Sequence, residues 1–233
     1  MKLQSKTFLK ATAICSFLGA LTTIILIFLP NPEAPDFETR VLLHNNNLYL
    51  TKLWVLFIHP QVNIFASFGI AYLLFKKYPL QIVFGTFFLL LWAYSEMSQQ
   101  ALLIDALNQL WRPGYIKADD EITRSMFKTL INTANGLSDS KYFLVIYGFG
   151  SGTLLYGLAF IRENRLGKWI GFFFIFIGIL SLSSFLRYYL SVNWLNGIVN
   201  WSYEWIYSYL QPLVRIALGI WIFRSIKTFQ EYT

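Results

Sequence analysis

Six stretches of the chain, about 7–29, 53–75, 80–104, 142–161, 169–189 and 205–223, are each apolar over the length of a membrane-spanning helix. The hydrocarbon core of a bilayer is about 30 Å thick and a helix rises about 1.5 Å per residue, so about 20 mostly apolar residues suffice to cross it. No other reading accommodates that many such stretches in 233 residues. Hydrophobic residues make up 56% of the chain and charged ones 13%. Soluble domains average about 45–50% and about 25%, which excludes a soluble enzyme, a disordered tail and a secreted disulfide scaffold. A lone Cys15 and two histidines, His44 and His59, supply no disulfide, cluster or metal-ligand set, so no cofactor and no metal are expected.

The expected fold is therefore all-α, a single integral membrane domain built as a six-transmembrane-helix bundle. Lys2, Lys6 and Lys10 precede the first apolar run in the manner of a signal peptide, but the run is too long and no small-x-small cleavage site follows, so it reads as a retained helix. Positive side chains set the orientation. Very short segments on the side of the first helix's start hold Lys2, Lys6, Lys10, Lys76, Lys77, Arg162, Arg165, Lys168, Arg224 and Lys227. The opposite side dilutes Arg40, Lys52, Arg112, Lys117, Arg124, Lys128 and Lys141 over longer, acidic loops. Both termini are accordingly expected in the cytoplasm. The net charge of +7 follows from this asymmetry and calls for no nucleic-acid partner.

The tight turns Lys76–Pro79 and Arg162–Lys168 predict hairpins between spans two and three and between spans four and five. Within the longest outer loop, Ile122, Met126, Phe127, Leu130, Ile131 and Ala134 recur at helical spacing. They predict an amphipathic helix over about 119–136 on the outer face, capped by Asp119 or Asp120 and ended by Gly136. Trp194, Trp201 and Trp205 read as an interfacial belt.

Polar side chains at membrane depth are the best functional signal, since each costs about 2.5–3.5 kcal/mol on insertion scales unless it faces protein or water. Glu96, Gln99 and Gln100 share one face of span three. Span six carries Gln211, Pro212 and Arg215, span two carries His59, Pro60, Gln61 and Asn63, and span five carries Arg187. All fall between the midplane and the outer edge. They predict a polar cavity there, with ligand-binding candidates Glu96, Gln99, Gln100, Arg215, Gln211, Asn63, His59 and Arg187, and with Glu96 paired to Arg215. A structural ion pair with interhelical hydrogen bonds is the alternative, and snorkelling to the headgroups is the alternative for Arg187. The inner half is nearly all Phe, Leu and Ile, with Gly148 and Gly152 spaced for close helix packing.

No nucleotide, zinc-protease or nucleophile-elbow motif occurs. Glu96 and His59 are the candidates for acid–base chemistry, with a hydroxyl such as Ser95 completing an arithmetical triad. The stretch from Gly150 to Arg162, the turn Glu163–Lys168 and the glycine-containing helix after it resemble a hairpin in a family of uncharacterised bacterial multi-pass membrane proteins. The resemblance implies a bacterial inner-membrane setting and carries over no activity. Three functions fit these readings: a binding protein or accessory subunit holding a lipid, small amphiphile or partner protein; an intramembrane enzyme on a lipidic substrate; and a small-solute transporter. Expected partners are membrane lipids and a membrane protein or a second copy of the chain.

Overall fold

All secondary structure among the described residues is helical, and six helices are long and apolar enough to cross a membrane. The computed structural model describes residues 2–231, with side chains from 4 to 226, so the side chains of Lys2 and Lys227 lie outside it. The first span is α1, Lys2–Phe28, which ends just before Pro30 and Pro32. A short α2, Phe37–Leu42, begins on Asp36, whose carboxylate accepts from the Thr39 amide at 2.8 Å. The second span is α3, Asn47–Leu74. The third opens as α4, Pro79–Ala101, with proline in the first turn where no N–H is needed. It widens to a π-helix over Leu102–Trp111 and closes as α5, Arg112–Lys117. Then come α6, Glu121–Phe160, and α7, Arg165–Tyr189. The sixth span is assembled from α8, Asn196–Ser202, a wide π turn at Tyr203–Tyr207, and α9, Ser208–Glu231.

The outer connection between spans three and four differs from expectation. The helix of span three continues past residue 104 as one run, Pro79–Lys117. The helix that contains span four begins at Glu121, and the amphipathic segment is not a separate helix: it is the first half of α6. Gly136 does not terminate it, because no glycine in the chain has a positive φ and the helical hydrogen bonds continue through it. Asp120 is the cap, its side chain accepting from the Thr123 amide at 2.8 Å, and these amides hold its carboxyl below the usual carboxylate range. At about 1.5 Å per residue a 40-residue helix is about 60 Å long, twice the hydrocarbon thickness. The apolar stripe is used sideways: Ile131 and Ala134 bury against Leu107 of the long third span and Val41 of α2. Packing of that stripe ties the first half of α6 to the third span and to α2.

The six spans pack as a ring in chain order. α1 lies on α3, α3 on α4, α4 on α6, α6 on α7 and α7 on α9, and α9 returns to α1. Both predicted hairpins are present. The α7–α9 seam is the shortest interface in the ring, while α6 makes extensive contact with both α4 and α7. Glycine explains the closest of these. A Cβ on Gly148 would stand 2.8 Å from the Phe88 carbonyl oxygen and 2.9 Å from the Trp92 amide nitrogen, both backbone atoms of α4 that cannot yield. At Gly136 a Cβ would meet nothing within 4 Å.

These two positions predict opposite effects of one substitution. Gly148→Ala should lower stability by about 1–3 kcal/mol through overpacking. Gly136→Ala should raise it by about 0.5–1 kcal/mol, because only helix propensity changes. Thermal unfolding in detergent reads both, and equal shifts would remove the packing argument for Gly148.

Candidate functional site

Arg215 on α9 organises the polar interior. Its Nη1 donates to Asn63 Oδ1 on α3, and its Nη2 donates to Gln211 Oε1 one turn earlier on α9, at 3.1 Å. The partners are neutral amides, so the positive charge is solvated but not cancelled. Gly19 on α1 makes the approach feasible, since a Cβ there would collide with Asn63 Oδ1. Ser16, also on α1, donates to the Arg215 carbonyl oxygen at 2.7 Å.

The direction of this network is dictated at Arg215, which can only donate. With its oxygen occupied, Asn63 turns its NH2 group to His59, reaching the His59 carbonyl oxygen at 2.7 Å and Nε2 at 3.1 Å. Nε2 must therefore accept, and the imidazole proton resides on Nδ1, which faces Thr22 Oγ1 at 2.8 Å. Thr22 passes its own proton to the Gly19 carbonyl oxygen at 3.0 Å. On the other side, Gln211 Nε2 donates to the Tyr207 hydroxyl oxygen at 2.5 Å, which leaves the Tyr207 proton for another acceptor. Thr22, His59, Asn63, Arg215, Gln211 and Tyr207 thus form one chain across three helices, polarised outward from the guanidinium.

This chain forms part of the wall of a partly open cavity of about 310 Å³, to which all six spans contribute. His59, Glu96, Gln211 and Arg215 line it together with Tyr142, Tyr203 and Tyr207. Leu26, Ile27, Val145, Ile146 and Phe149 supply the apolar wall. Tyr203 and Tyr207 bracket the π turn, their rings 4.6 Å apart. A single widened turn of this kind recurs at functional sites. Below Arg215 a second space of about 50 Å³ is bounded by Ser16, Ser67, Thr153 and Tyr156. The Tyr156 hydroxyl, buried among them, bonds Thr86 at 2.7 Å and the Ser67 carbonyl oxygen at 3.3 Å. The inner half is thus less uniformly apolar than its Phe, Leu and Ile content indicates. Beyond Tyr156, Phe160, Ile170, Trp221 and Ile222 are all buried in one cluster.

Several expected contacts are redistributed. Glu96 does not pair directly with Arg215: it lines the same cavity but accepts from the indole Nε1 of Trp92, one turn earlier. Among the described residues the ion pair formed is Lys77–Glu163, 3.1 Å, at the basic end. The His59–Glu96–Ser95 relay is not assembled, because both imidazole nitrogens are engaged by Thr22 and Asn63, while the buried Ser95 hydroxyl has no partner. Gln99 binds Ser138 on α6, 2.8 Å to Oγ and 3.0 Å to the carbonyl oxygen, which joins the long hairpin rather than lining the cavity. Gln100 is buried outside the cavity lining. Arg187 reaches Asn200 of α8 at 2.5 Å. Asn63 supports Arg215 and faces the smaller space. The three tyrosines and Trp92 escaped sequence reasoning, although Tyr207, Gln211 and Arg215 at four-residue steps, and Trp92 four before Glu96, were readable as single faces.

Among the described residues no group of three or more His, Cys, Asp and Glu side chains could hold a metal. Compared with known proteins, the chain matches no family model, no curated protein and no solved structure.

The polarity argument predicts that His59 is a neutral Nδ1–H tautomer. Nitrogen-15 spectra of ring-labelled protein, with His44→Gln to isolate the signal, should show a bare Nε2. A protonated Nε2 would reverse the direction assigned to the whole chain.

Proposed function

We propose that this chain is a multi-pass membrane protein that binds, in its central cavity, a small amphiphile carrying an anionic group. One observation carries the reading: Arg215, held by neutral amides with no carboxylate in direct contact, faces a cavity whose remaining wall is half apolar. Pockets of about 300–1,000 Å³ with few polar groups on an apolar lining are the usual form of small-ligand sites, and the cavity is of about 310 Å³. The anion would meet Arg215 and the unspent Tyr207 proton, while the alkyl portion would lie along Leu26, Val145, Ile146 and Phe149. The buried apolar cluster of Phe160, Trp221 and Ile222 supports holding a ligand over passing it through. Turnover by Glu96 and His59 receives less support, since the imidazole nitrogens are already committed.

The orientation that accompanies this reading places both termini in the cytoplasm and the cavity toward the outside. Lys6, Lys10, Lys76, Lys77, Arg162, Arg165, Lys168 and Arg224 share the end where α1 begins and α9 finishes, in keeping with the positive-inside rule. The hairpin of α5 and the first half of α6, standing beyond the apolar layer, would serve an accessory role by meeting a partner membrane protein.

Native mass spectrometry of protein released in mild detergent, with decanoate as added probe, tests the binding reading. Wild type should retain a stoichiometric anionic amphiphile or decanoate, and Arg215→Met should weaken retention at least tenfold, about 1.4 kcal/mol. Tyr207→Phe, which leaves the charge in place, should weaken it by a smaller factor. Unchanged retention in a folded Arg215→Met protein would overturn the reading.

A further inference from the structure

The central cavity offers two opposite charges from separate walls. Among the described residues lining it, Glu96 is the one carboxylic acid and Arg215 the one guanidinium. Glu96 stands on α4 and Arg215 on α9, the third and sixth spans of the ring, so the two helices face each other across it instead of packing side by side. The two side chains form no direct ion pair, and each is held by neutral groups. Asn63 and Gln211 accept from the guanidinium, while the Trp92 indole donates to the acid.

The acid keeps an acceptor in reserve. Its Oε2 takes the indole N–H, whereas Oε1 bonds no described residue. Nor is Oε1 sealed inside the protein: Ser95 Oγ and Gln100 Oε1 on the same run of α4 are enclosed without partners, and Glu96 Oε1 is not one of these enclosed atoms. A carboxylate oxygen at membrane depth that faces a cavity calls for a donor, preferably a charged one. A ligand of one sign answers only half of this arrangement. An anion alone would meet Arg215 but be repelled by Glu96, and a cation alone would be repelled by Arg215. A molecule carrying both signs satisfies both walls, and like-charge juxtaposition rejects the others.

We propose that the ligand of this cavity is zwitterionic, with an ammonium on the Glu96 carboxylate and an anion on Arg215. The inference rests on the reading that the cavity binds an anionic amphiphile, and adds the second charge to it. A primary ammonium suits the site better than a quaternary one, because it brings N–H donors to Oε1. An α-amino carboxylate with an apolar side chain and a phosphoethanolamine headgroup share this chemistry. They differ in the spacing of their two charges, which makes them separable by experiment.

Two matched pairs of ligands isolate the ammonium. 2-Aminodecanoate differs from decanoate by one ammonium group, and dihexanoyl phosphatidylethanolamine carries ethanolamine where dihexanoyl phosphatidylglycerol carries a neutral glycerol. Purified protein in neutral detergent is titrated with each, and occupancy is followed by native mass spectrometry. In at least one pair the zwitterion should bind wild type about tenfold more tightly than the anion. Glu96→Gln, which keeps an acceptor for the Trp92 indole, should abolish that preference without weakening the anion, and Arg215→Met should weaken both members of the pair. Preference in the first pair alone would assign the ligand to an amino carboxylate, and in the second alone to a phosphoethanolamine. No preference in either pair, or a preference that survives Glu96→Gln, would overturn the inference. Decanoate binding that still depends on Arg215 would then leave the anion reading standing, whereas zwitterion binding indifferent to Arg215→Met would overturn both. The wild-type comparison needs no variant, so a folding failure of Glu96→Gln would not shelter the proposal.

Discussion

A guanidinium halfway along an apolar helix has to be solvated by the protein itself, and much of the interior is arranged around that requirement at Arg215. At that depth the cost of leaving such a charge bare far exceeds what one packing contact returns. The solution is a set of neutral acceptors, Asn63 and Gln211, brought in from α3 and from the preceding turn of α9. Accepting from Arg215 leaves Asn63 only its N–H groups to offer, which sets the tautomer of His59 and, through it, the role of Thr22. A single obligate donor thus orders hydrogen bonds on three helices. It also explains why α1 carries glycine at position 19, since no side chain fits between the helices where the amide and the guanidinium meet.

Neutral solvation of the charge has a functional consequence. A direct carboxylate partner would have cancelled it and left a structural ion pair. Glu96 instead keeps to Trp92 across the cavity, so acid and cation face a shared space from separate helices.

Much of the architecture was legible because the bilayer allows few alternatives. Apolar runs of spanning length, two tight basic turns and the lysine and arginine asymmetry are local properties, and each followed from counting. The depth of Glu96, His59, Gln211 and Arg215 was equally legible, because position along a helix converts to height. Which of these groups touch was not, since height says nothing about rotation or about which helix stands opposite. Gln99 and Arg187 share the depth of the cavity yet turn to Ser138 and Asn200. The tyrosines were overlooked for the reverse reason: in a chain with 14 of them, a hydroxyl facing the interior looks the same as one at an interface.

The long hairpin shows the same division most plainly. Local pattern identified the amphipathic stripe over residues 122–134 and the aspartate that caps it, but local pattern alone favoured an end at Gly136. Glycine lowers helix propensity by about 1 kcal/mol, which the burial of Ile131 and Ala134 against Leu107 and Val41 outweighs. By itself the amino-acid order determined a helical membrane chain of six spans with polar groups at one depth. Tertiary structure alone decided that the spans close into a ring, that Arg215 is answered by amides instead of by Glu96, and that Trp221 meets the start of α7. The reason is physical: hydropathy and helical period act within a few turns of one segment, whereas a hydrogen-bond partner on another helix exists only once the helices have chosen their neighbours and their rotation.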